Sequence, residues 1–220
     1  MNRCRVAVML VHYTTGVSGV MYLRTRKRCS LRVSAWGNEK TQDTAHIMVQ
    51  HPREIARLEK GEVLVDLAFL PDDVVGVAAK ILVDAAPDEV WKALTDYNNL
   101  SKTLPKVLSS RLVERKDNEV ILDQTGKTGI FIFEKTVSFQ LRVQEEYSKK
   151  RIFFEQVTGD FSVYSGEWVL ETSSTLKGTV LSYQAKIKPL FFAPPILVSF
   201  VQWQDLPGIM KAHKQTAEAF

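Results

Sequence analysis

Acidic side chains are the first candidates for chemistry in this sequence, because a pair of carboxylates can serve as general acid and general base. Four of them stand among the strand-forming segments of the second half: Glu134, Glu155, Asp160 and Glu167. The alternation of apolar and polar residues places Glu134 and Glu167 on a solvent-facing side, and Asp160 follows Gly159 in a turn. A catalytic acid needs a buried site that shifts its pKa. The sequence therefore predicts surface or turn roles for these carboxylates.

Thiols and imidazoles are too sparse to form a catalytic or metal-binding set. Both cysteines, Cys4 and Cys29, lie in the first 38 residues, so the rest of the chain has no thiol nucleophile, disulfide or cysteine metal ligand. The histidines, which lack the spacing of a metal site, are His12, His46, His51 and His213. We expect His213 on the surface of a helix, and no Ser–His–acid set, metal or cofactor. The sequence thus favours a protein that is not an enzyme.

The segment "GKTG" at 126–129 is similar to part of a phosphate-binding loop. A Walker motif requires glycine at position 121, where this chain has Ile121, and a helix after the loop. Here the segment lies between two predicted strands. We therefore interpret it as a connection between strands.

Three polar residues are candidates for a different role, as hydrogen-bonding groups in an apolar interior. Gln124 shares the strand parity of Val120 and Leu122, so its amide is predicted to point inward. The hydroxyls of Tyr97 and Tyr183 could each donate to a carbonyl of an apolar ligand, such as a quinone oxygen, and orient it. The alternative left open is that each polar group is satisfied by a nearby loop.

The elements that must position these residues follow a regular order. Alternating residues predict a half-buried strand at 75–83, followed by one short helix from Pro87 and a second that contains Tyr97 and ends at Pro105. Turn residues separate further predicted strands at about 107–115, 118–125, 130–144, 151–158, 162–171 and 178–187. The last segment predicts a long helix, with a kink or a restart at Pro207 and Asp205 as a cap.

This order predicts an α+β fold with an internal cavity. Short connections indicate antiparallel neighbours, and the apolar face of the sheet needs a cover. We predict a curved six- to seven-stranded antiparallel sheet wrapped around the long C-terminal helix, with two short helices after the first strand. Such a sheet encloses more volume than one helix fills, although the alternative that aromatic rings fill it completely stays open. The residues predicted to contact a hydrophobic ligand are Tyr97, Leu100, Leu104, Gln124, Phe131, Phe133, Phe154, Tyr164, Trp168, Tyr183, Phe200 and Trp203.

Charge is distributed unevenly along the chain. Residues 1–38 carry seven basic side chains and no acid, with scattered serine and threonine, which is typical of an organelle transit peptide. We predict a plastid protein; a mitochondrial one, a short secretory core at "VAVMLV" and a disordered basic tail are the alternatives. Without those seven, the 29 lysines and arginines fall to 22 against 25 acids, so no nucleic-acid surface is expected. Residues 39–73 are assigned to a loose extension with a short helix after Pro52 and one strand.

Segments of the second half resemble the polyketide cyclase/dehydrase and lipid-transport group, the coenzyme Q-binding START-like proteins of the birch-pollen-allergen superfamily. The resemblance covers about residues 74–219 and rests on the ordered set "ILVDAAPDEVWKALTDYNNLSKTLPKVLSSRLVE", "ILDQTG", "RIFFEQVTGDFSVYSGEWVLE", "TVLSYQAKIKP" and "DLPGIMKAHKQTAE". The preceding "LEKGEVLV" resembles the cyanobacterial and plastid branch. The resemblance implies a START-like helix-grip domain over 74–220 and a hydrophobic ligand cavity. It implies no single chemistry, because a fold does not determine function.

Three functions are compatible with these features. The first is non-catalytic binding or transport of a hydrophobic small molecule (a lipid, quinone, pigment or isoprenoid), for which burial supplies affinity. The second is an assembly factor whose apolar groove binds a segment of a protein partner. The third is a polyketide cyclase or aromatase whose cavity orients a reactive chain, which inward-facing ionisable residues at its floor would favour. For binding, residues 95–105 and 190–195 are the predicted contact region, with transient membrane contact.

Overall fold

The computed structural model describes residues 52–130, 133–173 and 175–220. The predicted transit peptide at 1–38 and the first part of the predicted extension lie outside the described residues. The helices are α1 (Pro52–Glu59), α2 (Pro87–Thr95), α3 (Leu100–Thr103) and α4 (Pro195–Ala217). The strands are β1 (Leu64–Phe69), β2 (Val75–Val83), β3 (Val107–Lys116), β4 (Glu119–Ile130), β5 (Phe133–Glu146), β6 (Arg151–Gly159), β7 (Phe161–Thr172) and β8 (Thr179–Pro189). Short 3-10 turns span Pro71–Asp73, Tyr97–Asn99 and Tyr147–Lys149.

Within the described ranges, eight strands form one antiparallel sheet in the order β1-β2-β8-β7-β6-β5-β4-β3. Consecutive strands pair from β3 to β8, and β2 pairs with β8 along its whole length. The long helix α4 packs against this sheet and against α2. This is the predicted α+β helix-grip fold, and that prediction is confirmed.

The sheet has eight strands instead of the predicted six or seven, because part of the predicted loose extension is folded onto it. Strand β1, which the sequence analysis assigns to a loose extension, pairs with β2 from Leu64 opposite Lys80 to Phe69 opposite Val75. Helix α1 also packs, since Leu58 is buried in a small cluster with Leu176 and Val180. Residues 52–73 therefore belong to the folded body. Their polar composition concealed this, because one buried leucine suffices to attach a short amphipathic helix.

The apolar alternation of the strands forms the core. In β2, the side chains of Val75, Val77, Ile81 and Val83 are fully buried, as the period of two predicts. The facing elements contribute Leu122, Leu181 and Met210, which are also buried. Burial on one face and solvent on the other is what an antiparallel sheet covered on one side requires.

The break between the two short helices is as predicted. Pro87 occupies the first turn of α2, and the Glu89 carboxylate accepts a hydrogen bond from the Ala86 N–H at 2.7 Å, which satisfies a free donor at the helix start. The helix ends at Thr95, whose hydroxyl donates to the Trp91 carbonyl at 2.9 Å. A 3-10 turn and α3 follow, so the chain changes direction before Leu104.

Helix α4 does not restart at Pro207, which was one of the two predicted alternatives. It runs as one helix of 23 residues with Pro207 inside it. Buried residues lie on both sides of the proline, Val201 before it and Leu206 and Met210 around it, and their packing offsets the backbone hydrogen bond that the proline removes. Asp205 is not a cap but pairs with Lys106. In the described part of the chain, no helix combines the length and the apolar character that crossing a membrane requires.

Candidate ligand-binding cavity

A cavity of about 570 Å³ lies between the inner face of the sheet, the α2–α3 segment and helix α4. Its walls are formed mainly by aliphatic and aromatic side chains of β4 to β8 and α4. This volume falls within the range of small-molecule sites, about 300–1,000 Å³. The aromatic residues therefore do not fill the interior, which was the alternative that the sequence left open.

The structure brings most of the predicted contact residues together at this cavity. Those that line it are Tyr97, Leu100, Leu104, Gln124, Phe154, Tyr164, Trp168 and Tyr183. Phe131 and the side chain of Phe133 lie outside the described residues. A ligand-binding role for the eight lining residues stays a prediction.

Phe200 and Trp203 are not among the described residues that line the cavity. Their rings contact each other, with centroids 6.1 Å apart, and Trp203 is 51% exposed. They share a helix face with Ile196, at spacings i, i+4 and i+7, whereas Val198 and Val201 face the cavity. Helical periodicity thus explains why two large aromatic residues of α4 point away from the site.

The closed end of the cavity, here called the floor, consists of Tyr164, Trp168, Tyr183 and His213. Trp168 and Tyr183 are opposite each other on β7 and β8, with ring centroids 4.5 Å apart. The His213 ring meets the Trp168 ring edge-to-face at 5.1 Å. The floor therefore joins two neighbouring strands to the C-terminal half of α4.

Burial disfavours the charged forms of the polar groups of the floor. It lowers the pKa of the His213 imidazole from 6.5 to about 4. It raises the pKa of the Tyr164 hydroxyl, partly offset by the Tyr183 hydroxyl, and raises the pKa of Tyr183 well above its ordinary value. The floor thus offers neutral hydrogen-bonding groups in an apolar enclosure.

His213 is the functional candidate that the sequence analysis placed wrongly. It is 3% exposed and lines the cavity instead of lying on a helix surface. The signal was present, because Leu206, Met210, His213 and Ala217 follow one another at i, i+4, i+7 and i+11, and all four are buried. A histidine on the apolar face of a helix is expected to be buried with that face.

Gly166 allows the aromatic side chains near the floor to pack. It lies on β7 between Tyr164 and Trp168, opposite Phe154 on β6. A Cβ atom here would lie 2.8 Å from the Phe154 ring and 2.0 Å from the Gln184 carbonyl oxygen. No side chain fits that space, so the glycine is required where Phe154 crosses the neighbouring strand.

Tyr97 presents its ring to the cavity, but its hydroxyl is used elsewhere. The hydroxyl donates to Glu145 Oε1 at 2.7 Å, and Arg115 forms two contacts of 3.0 Å with the same carboxylate. Burial, and after it the Glu145 charge, raises the pKa of Tyr97. The predicted presentation of this hydroxyl to a ligand is therefore wrong. Gln124 does line the cavity, and its amide N–H donates to Ser110 Oγ at 3.1 Å.

The open end, here called the mouth, consists of Lys127 and Lys135 of the β4–β5 hairpin with Phe191, Phe192 and Leu197. Phe192 lines the cavity yet is 94% exposed, which marks the opening. The Lys135 ammonium lies 3.7 Å from the centre of the Phe191 ring, so the hairpin contacts the β8–α4 connection. The loop before β3 is joined to α4 by an ion pair between Lys106 and Asp205, whose charged atoms are 3.1 Å apart.

None of the four acidic candidates is among the described residues that line this cavity. Glu134 pairs with Lys127 at 3.5 Å and Glu155 with Arg142 at 2.9 Å. Asp160 accepts a hydrogen bond from the backbone N–H of Ser138. Glu167 lines a groove on the other face of the sheet. Among the described residues no group of histidine, cysteine and acidic side chains is arranged to hold a metal ion.

The fold and the cavity define a helix-grip protein with an apolar internal site. Residues 83–214 match the family described as polyketide cyclase / dehydrase and lipid transport. Because the match covers more than half of the chain, the chain belongs to that family.

Solved structures show the same fold. A STAR-related lipid transfer protein from Xanthomonas axonopodis matches with a TM-score of 0.56 and 17% identity, covering 70% of this chain and 93% of that one. Human STARD10 matches with a TM-score of 0.55 and 12% identity over 79% of this chain and 82% of its own. The Zhui aromatase/cyclase from Streptomyces sp. R1128 matches with a TM-score of 0.58 and 16% identity over 66% and 94%. No curated protein sequence matches the chain.

Proposed function

We propose that this protein binds a hydrophobic small molecule in the cavity and carries it without chemical change. The observation that carries the proposal is the cavity of about 570 Å³, which is lined mainly by apolar side chains and opens beside the exposed Phe192. A ligand that buries about 300 Å² of apolar surface gains about 7 kcal/mol from burial alone, before the entropy of association is subtracted. Affinity of this origin requires few specific contacts.

Exposed apolar residues near the mouth suit the entry and exit of such a ligand. Beside the exposed Phe192 lie two further exposed apolar side chains, Leu190 and Ile196, at 66% and 72% exposure. A row of exposed apolar residues beside a cavity opening suits transient contact with a membrane surface, where the ligand would transfer without crossing water. The proposal therefore includes transient contact with a membrane. The proposed cargo is a lipid, quinone, pigment or isoprenoid, and the proposed location is a plastid.

A tryptophan placed in the cavity tests the proposal directly. Leu104→Trp adds an indole to a lining residue in the loop between α3 and β3, whereas Leu108→Trp adds the same group to an exposed residue outside the cavity. We expect Leu104→Trp to weaken binding of a fluorescent hydrophobic probe about tenfold or more and Leu108→Trp to leave it unchanged. Thermal unfolding would verify that both variants fold.

Two results would contradict the carrier function. One is equal probe binding by the two variants. The other is the absence of any lipophilic molecule from protein extracted from its own organism, together with no binding to a panel of lipids and quinones.

One observation favours a second candidate function, catalysis of the cyclase or aromatase type. His213 is an ionisable side chain that faces the cavity, as an acid–base group for such a reaction would. Cyclisation with dehydration removes water from the substrate, so the mass of a bound polyketide chain would fall during incubation. Cyclisation without loss of water keeps the mass but changes the chromatographic retention of the chain, so an unchanged mass together with unchanged retention would argue for a carrier.

A further inference from the structure

The buried polar groups around the described cavity differ in whether another side chain already satisfies them. The Tyr97 hydroxyl is bonded to Glu145, and the Gln124 amide N–H is bonded to Ser110. His213 is 3% exposed, close to the 5% of Tyr97, yet no side chain of the described residues is hydrogen-bonded to its ring, and burial alone accounts for its lowered pKa. Its described neighbour is the Trp168 ring, which offers an edge-to-face contact.

An unpaired imidazole in an apolar enclosure is costly, since nearly all buried polar groups in proteins are hydrogen-bonded. A missing partner costs about as much as the desolvation of the group. The imidazole lines the cavity, so its partner can come from the cavity contents. The hydroxyls of Tyr164 and Tyr183 belong to the same floor and interact with each other, which leaves one hydroxyl donor of the pair for a ligand.

We propose that the floor is a recognition site for one neutral oxygen, a carbonyl or a hydroxyl, at the leading end of an otherwise apolar ligand. His213 makes the principal hydrogen bond, and the Tyr164–Tyr183 pair supplies one further donor. The inference rests on the proposed function, because it specifies which ligand the cavity accepts and in which direction.

The distribution of charge restricts the ligand class. The lysines that line the described cavity, Lys106, Lys127 and Lys135, belong to the mouth or the adjoining loop, and none belongs to the floor. A carboxylate or phosphate buried at the floor would have no cation to compensate its loss of hydration. A neutral ketone, quinone or alcohol suits the floor, whereas an ionised headgroup would remain at the mouth.

Orientation follows from the same arrangement. Leu197 at the mouth and His213 at the floor are sixteen residues apart on α4, which corresponds to about 24 Å of helix. The oxygen-bearing end would enter first and the apolar remainder would extend toward Phe192. The ligand would therefore leave tail-first toward the exposed apolar residues.

Two probes of nearly equal shape separate the oxygen contribution from burial. 1-Acetylpyrene carries a carbonyl oxygen where 1-ethylpyrene carries hydrogens, and both can be titrated by fluorescence into the full chain. We expect the wild-type protein to bind the ketone about fivefold to tenfold more tightly, the ratio that one net hydrogen bond contributes. His213→Phe keeps an aromatic ring but has no hydrogen-bonding nitrogen. We expect this variant to bind the two probes with equal affinity and to bind the hydrocarbon as tightly as the wild type does.

Tyr97→Phe is the matched control. It removes a hydroxyl from a ring that lines the cavity, but that hydroxyl is bonded to Glu145. The ketone preference should survive in this variant. His213→Leu, which also lacks a hydrogen-bonding group, should remove the preference as well and replaces His213→Phe if that protein does not fold.

The possible outcomes separate the inference from the proposed function. Equal affinities of the two probes for the wild type, or a ketone preference that survives in His213→Phe, would overturn the inference and leave hydrophobic binding in place. Failure of both probes to bind would overturn the carrier function at this ligand size, and the inference with it.

Discussion

The two ends of the cavity are built from the same helix under opposite conditions. At the floor, the C-terminal half of α4 contributes His213, about one turn after the fully buried core residue Met210. At the mouth, the N-terminal half contributes Leu197, 43% exposed, next to Ile196, which is 72% exposed. One helix thus passes from a fully packed environment to one in which apolar side chains meet solvent.

This contrast separates side chains that stabilise the fold from those available for binding. Apolar residues at the floor gain their burial on folding, so they hold α4 on the sheet. Apolar residues at the mouth are left uncovered by folding and can gain burial only from a ligand or a surface. The polar groups follow the same division, since the floor holds neutral groups and the mouth holds lysines.

The largest difference between the two ends is expected in stability. Met210→Ala, about one turn before the floor residue His213, should lower the free energy of unfolding by about 2–5 kcal/mol, because it leaves a cavity in a packed core. Ile196→Ala on the same helix should change it by less than about 0.5 kcal/mol, because the side chain is exposed. Urea denaturation of both variants measures the difference. Equal losses would mean that the mouth is packed as tightly as the floor.

The second prediction concerns protonation of the floor. The pKa of His213 is about 4 in the folded chain against 6.5 as its ordinary value. Between those pH values the unfolded chain binds a proton that the folded chain does not, so stability falls as the pH decreases. Well above pH 6.5 the imidazole is neutral in both states, so it adds no pH dependence to the stability. Below about pH 4 it is protonated in both states, and no further stability is lost.

The loss should reach about 3 kcal/mol between pH 7 and 4. It is measured as the difference between wild type and His213→Phe in urea denaturation at a series of pH values, so that titration of all other groups cancels. Parallel pH profiles of the two proteins would show that His213 is accessible to water in the folded chain.

The smallest effect should appear at the mouth, in binding to vesicles. Phe192→Ser removes a fully exposed ring and should weaken binding to phospholipid vesicles about tenfold, as the loss of one inserted aromatic side chain does. Phe69→Ser removes an exposed ring, 58% accessible, from the edge strand β1 and should have no effect. Sedimentation with neutral and with anionic vesicles tests both. An equal effect of the two substitutions would refute a specific role of the mouth.

Much of the architecture follows from local patterns. The period of two in β2 and β5 and the proline-bounded helices predicted the antiparallel sheet, the long terminal helix and the enclosed space. The pattern also predicted the cavity-facing side of β7 and β8, where Tyr164, Trp168 and Tyr183 lie. These predictions succeeded because the pleat of a strand alone sends alternate side chains to opposite faces.

Other features of the candidate site depend on contacts between distant segments. Phe200 and Trp203 were expected at the cavity because they are aromatic, yet the rotation of α4 on the sheet turned them away. The Tyr97 hydroxyl is bonded to Glu145, a residue 48 positions further along the chain. Strand β1 joined the sheet because β2 has an open edge that β1 can pair with.

By itself, the sequence determined which side chains share a face of each element, since that depends only on the helical or strand period of neighbouring residues. The tertiary structure alone decided which face meets which, and therefore that an imidazole from α4 and two phenols from β7 and β8 enclose the same end of one cavity. The physical reason is that the rotation of a helix on a sheet is set by the fit of many side chains from distant segments, and no local period contains that information.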